Sequence, residues 1–243
     1  MRNCLLVEEL VRGQEYSVEA LVQNRKIIFE SVTRKRTTEE SGRYFVESAH
    51  TVPAPSSPDN DLLLAANRDI VERLAVENAI VHTELRLPAD GRPVLMELAV
   101  RTPGDGLLPL YHLATGRPME PDILRIVLGE PVAPPLLVRH ARQVYLETGP
   151  GVLRDIAVHH PQAGPVVWTA NGGSWPEIVP GAADEPATLR AVLALKPRGA
   201  RVGPLTESGD RVVTYLIDAP SPDELDRLEA EVTDSIEVSI TAD

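Results

Sequence analysis

The tightest constraint on this chain is a pair of runs suited to pair with each other. Ile80-Val-His-Thr-Glu-Leu-Arg-Leu87 alternates apolar and polar residues, and Val94-Leu-Met-Glu-Leu-Ala99 follows after Pro88-Ala-Asp-Gly-Arg-Pro93. The Asp90-Gly91 step is a strong hairpin signal. An antiparallel hairpin over residues 80–100 brings Glu84 and Glu97 near each other, with Arg101 just beyond. Two carboxylates converging with a guanidinium suit a divalent cation on a polyphosphate, because Mg2+ takes hard oxygen ligands and shares its charge with substrate phosphates. The competing reading is two strand glutamates facing water.

Around this hairpin the chain reads as α+β. The spacing predicts strands at Cys4–Val11, Tyr16–Val22 and Ile27–Thr33, with turns at Gly13 and Asn24, and a further strand at Tyr44–Val52. The polar stretch Lys35–Arg43 between them reads as a mobile loop. Pro53-Ala-Pro-Ser-Ser-Pro58 breaks the chain, and Asp59–Asn78 follows as a helix with Leu62, Leu63, Ala66, Ile70, Leu74 and Ala75 at helical spacing, capped by Asp59, Asn60 or Asp61. Shorter helices are predicted at Leu107–Leu113, ending at Gly116, and at Pro121–Leu128. After the connector Pro131–Pro135 the texture changes to short strands between Gly/Pro turns: Gln143–Glu147, Val152–Val158, Val192–Leu195, Arg211–Ile217 and Glu237–Ile240. Gly172-Gly173 reads as a turn. One late helix, Ser221–Thr233, opens with the capping box Ser221 and Glu224. These readings divide the chain into residues 1–135 and a small α+β domain at 136–243.

Bulk properties narrow the function classes. The 243 residues suffice for one large or two modest domains. The net charge of −12, from 36 acidic and 24 basic residues, argues against general binding of nucleic acid or an anionic membrane. Aromatic residues are only 4%, too few for base-stacking platforms. The single cysteine, Cys4, cannot form an internal disulfide, and no signal peptide is visible, so a cytoplasmic location is expected. A Gly-x-x-x-x-Gly-Lys-Ser/Thr loop and a Cys-x-x-Cys pair are both missing.

Three separated motifs, in order, resemble the ATP-grasp superfamily, and within it the L-amino-acid ligase (dipeptide synthetase) branch. Val7-Glu-Glu-Leu-Val-Arg-Gly-Gln-Glu-Tyr-Ser-Val-Glu19 is similar to the family's adenine-and-ribose strand. Glu84, then Glu97-x-x-x-Arg101 with Pro103-Gly-Asp-Gly106, resemble its metal-binding end. The likeness covers residues 5–130 well and the rest weakly. It implies the C-terminal part of such a ligase, because the family's N-terminal domain and lid-like subdomain precede the Glu8-Glu9 strand. The chain is then expected to be one part of a split enzyme, a truncated form or a remnant, with an N-terminal-half protein or a second copy as its partner. A non-catalytic binding subunit is the alternative.

The resemblance also assigns roles. ATP is the implied cofactor with Mg2+, or Mn2+ in its place. Glu8, Glu9 and Val11 would lie along the adenine, and Glu15 would take the ribose hydroxyls, since a carboxylate can accept two at once. Glu84 and Glu97 would hold the metal. The family often carries asparagine where Ala99 stands, whereas an apolar residue there is common in the L-amino-acid ligase branch. Arg101, Lys35 and His50 would offset charge on the phosphates and on an acyl phosphate formed between a small carboxylate or amino acid and ATP, before an amine attacks. Backbone N–H groups of Pro103–Gly106 would turn toward an anion. His82 reads as a neighbour of Glu84, because Mg2+ prefers oxygen. The residues alone leave plainer readings open: a solvated strand end for Glu8, Glu9 and Glu15, plain surface for Lys35, and a half-buried strand histidine for His50.

Overall fold

The computed structural model describes residues 5–40, 44–171 and 174–242. Its frame is a nine-stranded sheet in the order β5-β4-β1-β2-β3-β6-β11-β9-β8. The strands are β1 (Gln14–Gln23), β2 (Lys26–Thr37), β3 (Glu47–Val52), β4 (Ala79–Leu87), β5 (Val94–Ala99), β6 (His140–Leu146), β8 (Val167–Trp168), β9 (Thr188–Ala194) and β11 (Val213–Ala219). All neighbours run antiparallel except β8 and β9. A second sheet of three strands, β10-β7-β12, is formed by β7 (Gly151–Val158), β10 (Arg201–Val202) and β12 (Ile236–Thr241).

Helices cover both faces of the large sheet. On one face α2 (Leu107–Thr115) and α3 (Glu120–Val127) pack Leu110, Leu113, Ile123 and Ile126 against Leu21, Phe29, Ile80 and Leu216. On the other, α1 (Pro58–Arg73) places Leu63 against Val18, Val32 and Leu85. Further along that face, α4 (Pro222–Ser235) and the small sheet enclose Val192, Tyr215 and Ile217 with Leu225, Leu228 and Leu153. The sheet is thus the middle layer of a mixed α+β fold. It runs unbroken past the connector at residues 131–135, since β6 pairs with β3 from Ala49↔Val144 to Val52↔Ala141.

The expected hairpin forms, with Glu84 directly opposite Glu97. Gly91 takes a left-handed φ of 73° in its turn, as the Asp-Gly signal requires. Ser221 caps α4 by accepting from the Glu224 backbone N–H, and Gly116 ends α2 with a left-handed φ of 75°.

Several expectations need correction. The strand predicted at Cys4–Val11 is not formed: residues 5–12 have no regular structure, and Leu5 and Val7 are 95% and 90% exposed. Cys4 itself lies outside the described residues. β1 begins only at Gln14, where Leu87 supplies a partner. Gly13 permits that entry, because a Cβ there would meet the Leu87 carbonyl oxygen at 2.3 Å. The expected loop at Lys35–Arg43 is replaced at its start by strand, with β2 continuing to Thr37 and a 3₁₀ turn at Thr38–Glu40; residues 41–43 and the Gly172-Gly173 turn lie outside the description. Charged residues conceal a strand here because the two faces differ: Arg34 and Arg36 are exposed while Lys35 is buried. The first long helix is shorter than predicted. Ser57 caps α1, and it stops at Arg73, followed by Ala75 at a left-handed φ of 50°. β11 starts at Val213, two residues later than expected, which leaves Arg211 outside the strand.

The packing makes a quantitative expectation. Leu21 is fully buried between β1 and α2. Leu21→Ala should lower unfolding free energy by about 2–5 kcal/mol in urea denaturation, from lost burial plus the cavity left behind. Leu5→Ala, at a position that packs on nothing, should stay within about 0.5 kcal/mol of wild type.

Candidate active site

Cross-strand register assembles one polar face. Glu15, Ser17 and Glu19 of β1 stand opposite Arg86, Glu84 and His82 of β4. On the other side Ser17 meets Thr33 and Tyr16 meets Arg34, which brings Glu15 alongside Lys35. Lys35 in turn is opposite His50 on β3, and His50 is opposite Gln143 on β6. Directly opposed residues project to the same side of a sheet. The face therefore carries charged and hydroxyl groups at one end and, where α2 and α3 cover it, Leu21, Phe29 and Ile80 at the other.

Lys35 is the centre. Its side chain is 2% exposed, and its Nζ donates to Glu84 Oε1 at 2.5 Å and to Glu15 Oε1 at 3.2 Å, with Glu47 Oε1 3.9 Å away. Burial works against the ammonium, but the carboxylates of Glu84 and Glu15 outweigh it and hold its pKa above the ordinary lysine value. Glu84 also receives His82 Nε2 at 3.2 Å, and His82 Nδ1 reaches Glu19 Oε1 at 2.8 Å. The His82 bond, opposed by burial and reinforced by Lys35, brings the Glu84 carboxyl down to about 2. Burial opposes the charged imidazole of His82, yet its bonds to Glu19 and Glu84 raise its pKa to about 9.

Glu19 is fully buried and fully satisfied. It accepts from Ser17 Oγ at 2.7 Å, Thr33 Oγ1 at 2.6 Å and Tyr111 Oη at 2.8 Å, besides His82. Those four donors supply what desolvation removes. Glu15 is held on its other side by Arg86, whose Nη2 lies 2.9 Å from Oε2 and whose Nη1 donates to the Val11 carbonyl at 2.9 Å and to Glu39 at 3.0 Å. The Arg86 guanidinium lies 4.7 Å over the Phe45 ring.

A second cluster adjoins the first through Glu47. Arg211 Nη2 donates to Glu47 Oε2 at 2.6 Å, and its Nη1 reaches Asp105 Oδ2 at 3.1 Å. His50 Nε2 lies 3.0 Å from the same oxygen, and the Arg211 guanidinium stacks 3.9 Å over Tyr145. Burial alone would raise the Asp105 carboxyl, but His50 and Arg211 hold it well below the usual carboxylate range. Asp105 sits at a left-handed φ of 50°, a conformation aspartate tolerates better than most residues.

The sequence-predicted residues divide into three groups. Lys35, Glu15 and Glu84 are brought into direct contact, with His50 beside Lys35 on the next strand. Glu97 is aligned with Glu84 but remains 58% exposed, and Arg101 lies 3.7 Å from it in an exposed ion pair. Glu8 and Glu9 are exposed on the irregular lead-in, where Val11 alone of the predicted adenine residues is tied to the site, through its carbonyl. Of the Pro103–Gly106 amides, that of Gly106 is already taken by Gln143 Oε1 at 2.9 Å.

Sequence reasoning missed Glu19, Arg86, Tyr111, Glu47 and Arg211, and gave His82 too small a part. Alternation was the available signal for Glu19 and Arg86, since Arg86 lies two residues from Glu84 and Glu19 four from Glu15, on the same strand face. Nothing in the sequence pointed to Arg211, 176 positions from Lys35 (211 minus 35).

The donor set fits Mg2+ held jointly with phosphate. Glu84 is an anion at neutral pH, and both it and Glu97 offer hard oxygens. Among the described residues no group of three or more His, Cys, Asp or Glu side chains forms a complete cage. Phosphate oxygens and water would supply the remaining positions, as is usual for this ion. Among the described residues no helix is long and apolar enough to cross a membrane.

The family model of the ATP-grasp domain matches residues 1–108. Two solved structures superpose well: L-amino acid ligase from Bacillus licheniformis, with a TM-score of 0.72 and 19% identity, and phosphoribosylglycinamide synthetase from Anaerococcus prevotii, with 0.71 and 14%. Each alignment covers 96% of this chain, and 53% and 55% of the respective neighbours. A third is the biotin carboxylase domain dimer of Hydrogenobacter thermophilus 2-oxoglutarate carboxylase, in complex with magnesium ADP, ADP and bicarbonate. Its TM-score is 0.57 at 11% identity, covering 93% of this chain and 46% of that one. No curated protein matches the chain in sequence. Residues 1–108 thus match the ATP-grasp domain, the fold is shared with these solved structures, and the chain spans about half their length.

The second cluster yields a pH test. The folded-state pKa of Asp105 lies below its unfolded value, so its charge contributes stability above about pH 4, and that contribution disappears as pH falls through the folded value. Asp105→Asn should therefore be less stable than wild type at pH 7, and the gap should narrow at pH 3. Urea unfolding at both pH values measures this; an equal gap at the two would refute the assignment.

Proposed function

We propose that this chain is the nucleotide- and metal-handling part of an ATP-dependent carboxylate–amine ligase of the L-amino-acid ligase kind. One observation carries the reading: a buried lysine set among carboxylates on one sheet face, with the Glu84–Glu97 pair beside it on the same hairpin. ATP supplies the phosphoryl group, and Mg2+ offsets the charge of its phosphates. Glu84 and Glu97 would hold the metal. Glu15, kept in place by Arg86, would accept the ribose hydroxyls, and the backbone from Glu8 to Val11 would lie along the adenine.

In the first step a substrate carboxylate oxygen takes the terminal phosphoryl group of ATP, and ADP leaves. In the second, an amine attacks the activated carbonyl carbon, phosphate leaves with the bonding pair, and the amine gives up a proton. Lys35 would oppose negative charge on the transferring group, while Arg86 holds Glu15 from its other side. His50 and Arg101 would offset charge on the activated carboxylate. Positioning and electrostatics carry most of such a reaction.

A non-catalytic, nucleotide-binding role is the second reading, favoured by the exposed Leu5, Leu6 and Val7, which are 95%, 82% and 90% exposed and suit contact with another chain. Calorimetric titration of Mg2+–ATP tests what both readings share. Glu97→Ala should weaken binding by about tenfold or more, as loss of a metal-site group commonly does. Equal affinity in wild type and variant would remove the metal assignment. ADP release with mixed amino acids, with hydroxylamine added to trap an activated carboxylate, separates the readings: hydroxamate supports the ligase, and tight ATP binding without it supports the binding subunit.

A further inference from the structure

The reverse face of the large sheet carries a groove that the proposed chemistry does not use. It is a cavity of about 490 Å3 between α4 and strands β2, β3 and β6. Register builds it: Arg34 is opposite Thr51, and Thr51 is opposite Arg142, so the three form one row across three strands. Ala49 and Ala230 are among its lining residues, and their small side chains leave room between the charged walls.

Most of the charges in the groove are spent on each other. Arg142 donates to Thr51 Oγ1 at 2.9 Å, to Asp226 at 2.8 Å and to Glu229. Arg36 donates to the other Glu229 oxygen at 2.6 Å. Two lining groups are left over. Arg34 and Asp234 are both exposed, and neither makes a hydrogen bond or ion pair among the described residues. The groove thus offers one free guanidinium and one free carboxylate. A lone anion would suit Arg34 but meet Asp234, Asp226 and Glu229, and a lone cation would meet the arginines. A ligand bearing both charges satisfies the two free groups together, because a guanidinium fork matches a carboxylate and a carboxylate accepts from an ammonium.

We propose that this groove binds a zwitterion of amino-acid type, its carboxylate on Arg34 and its ammonium on Asp234, either as a free amino acid or as a short peptide. The site is separate from the candidate active site and does not rest on the ligase reading. It lies directly behind that site. Arg34 and Arg36 flank Lys35 along β2, and Ala49 and Thr51 flank His50 along β3, so an occupant would press on the backs of the two strands that present these groups.

Calorimetry on the full chain without nucleotide tests the proposal. L-alanine and L-alanyl-L-alanine are the probes, with acetate and methylammonium as single-charge controls. Wild type should bind at least one zwitterion and neither control, and the tighter of the two names the source. Arg34→Ala and Asp234→Asn should each weaken binding by about tenfold, the scale of one lost charge-assisted contact; both positions are exposed, and unchanged circular dichroism would confirm the fold. Absence of zwitterion binding by wild type, or acetate bound as well as alanine, overturns the proposal. Binding that both variants leave intact places the ligand elsewhere, which sinks the groove and leaves the ligase reading standing.

Discussion

Much of this structure depends on keeping one ammonium group charged out of water. Lys35 is almost fully buried, and an uncompensated buried charge costs several kcal/mol. Glu84 and Glu15 offset that cost, and each of them needs further donors: His82 for Glu84, Arg86 for Glu15. His82 in turn leans on Glu19, and Glu19 draws in Ser17, Thr33 and the hydroxyl of Tyr111 from α2. One lysine thereby fixes side chains on three strands and a helix. A network of this kind adds little net stability compared with well-packed apolar residues.

The same strands do different work on their two faces. β2 alternates Thr33 and Lys35 toward the candidate site with Arg34 and Arg36 toward α4, while Val32 packs under α1. A shift of register by a single residue would exchange these sets and bury two guanidinium groups in place of the lysine. On the other side of β1, the contact of Gly13 with Leu87 admits no side chain where β1 begins to pair with β4.

Local pattern made the hairpin, α2, α4 and the Glu84–Glu97 alignment legible in the sequence. Turn chemistry and period-two alternation act over a few residues and leave a clear trace. Lys35–Thr37 was misread because a strand with charge on one face and a buried lysine on the other looks polar throughout. Cys4–Val11 was misread for the opposite reason: β-prone residues make a strand only where an edge is available to pair with. The acid–base partners of the site were legible only as far as register could be counted. Arg86 stands two residues from the predicted Glu84 and Glu19 four from the predicted Glu15, whereas the pairing of Asp105 with Arg211 depends on β6 returning beside β3 and β11 beside β6, a long-range fact that no short motif encodes.

That return has a mechanical consequence. The β3–β6 pairing is a seam at which the last hundred or so residues are stitched to the first. A plate stitched by a continuous ladder resists folding along the seam, because bending it there breaks several bonds at once, while a free margin can flap at little cost. The two sides of the seam therefore move as one board. Compliance is left to the outer margin, where β5 is bonded on one side only and bears Glu97.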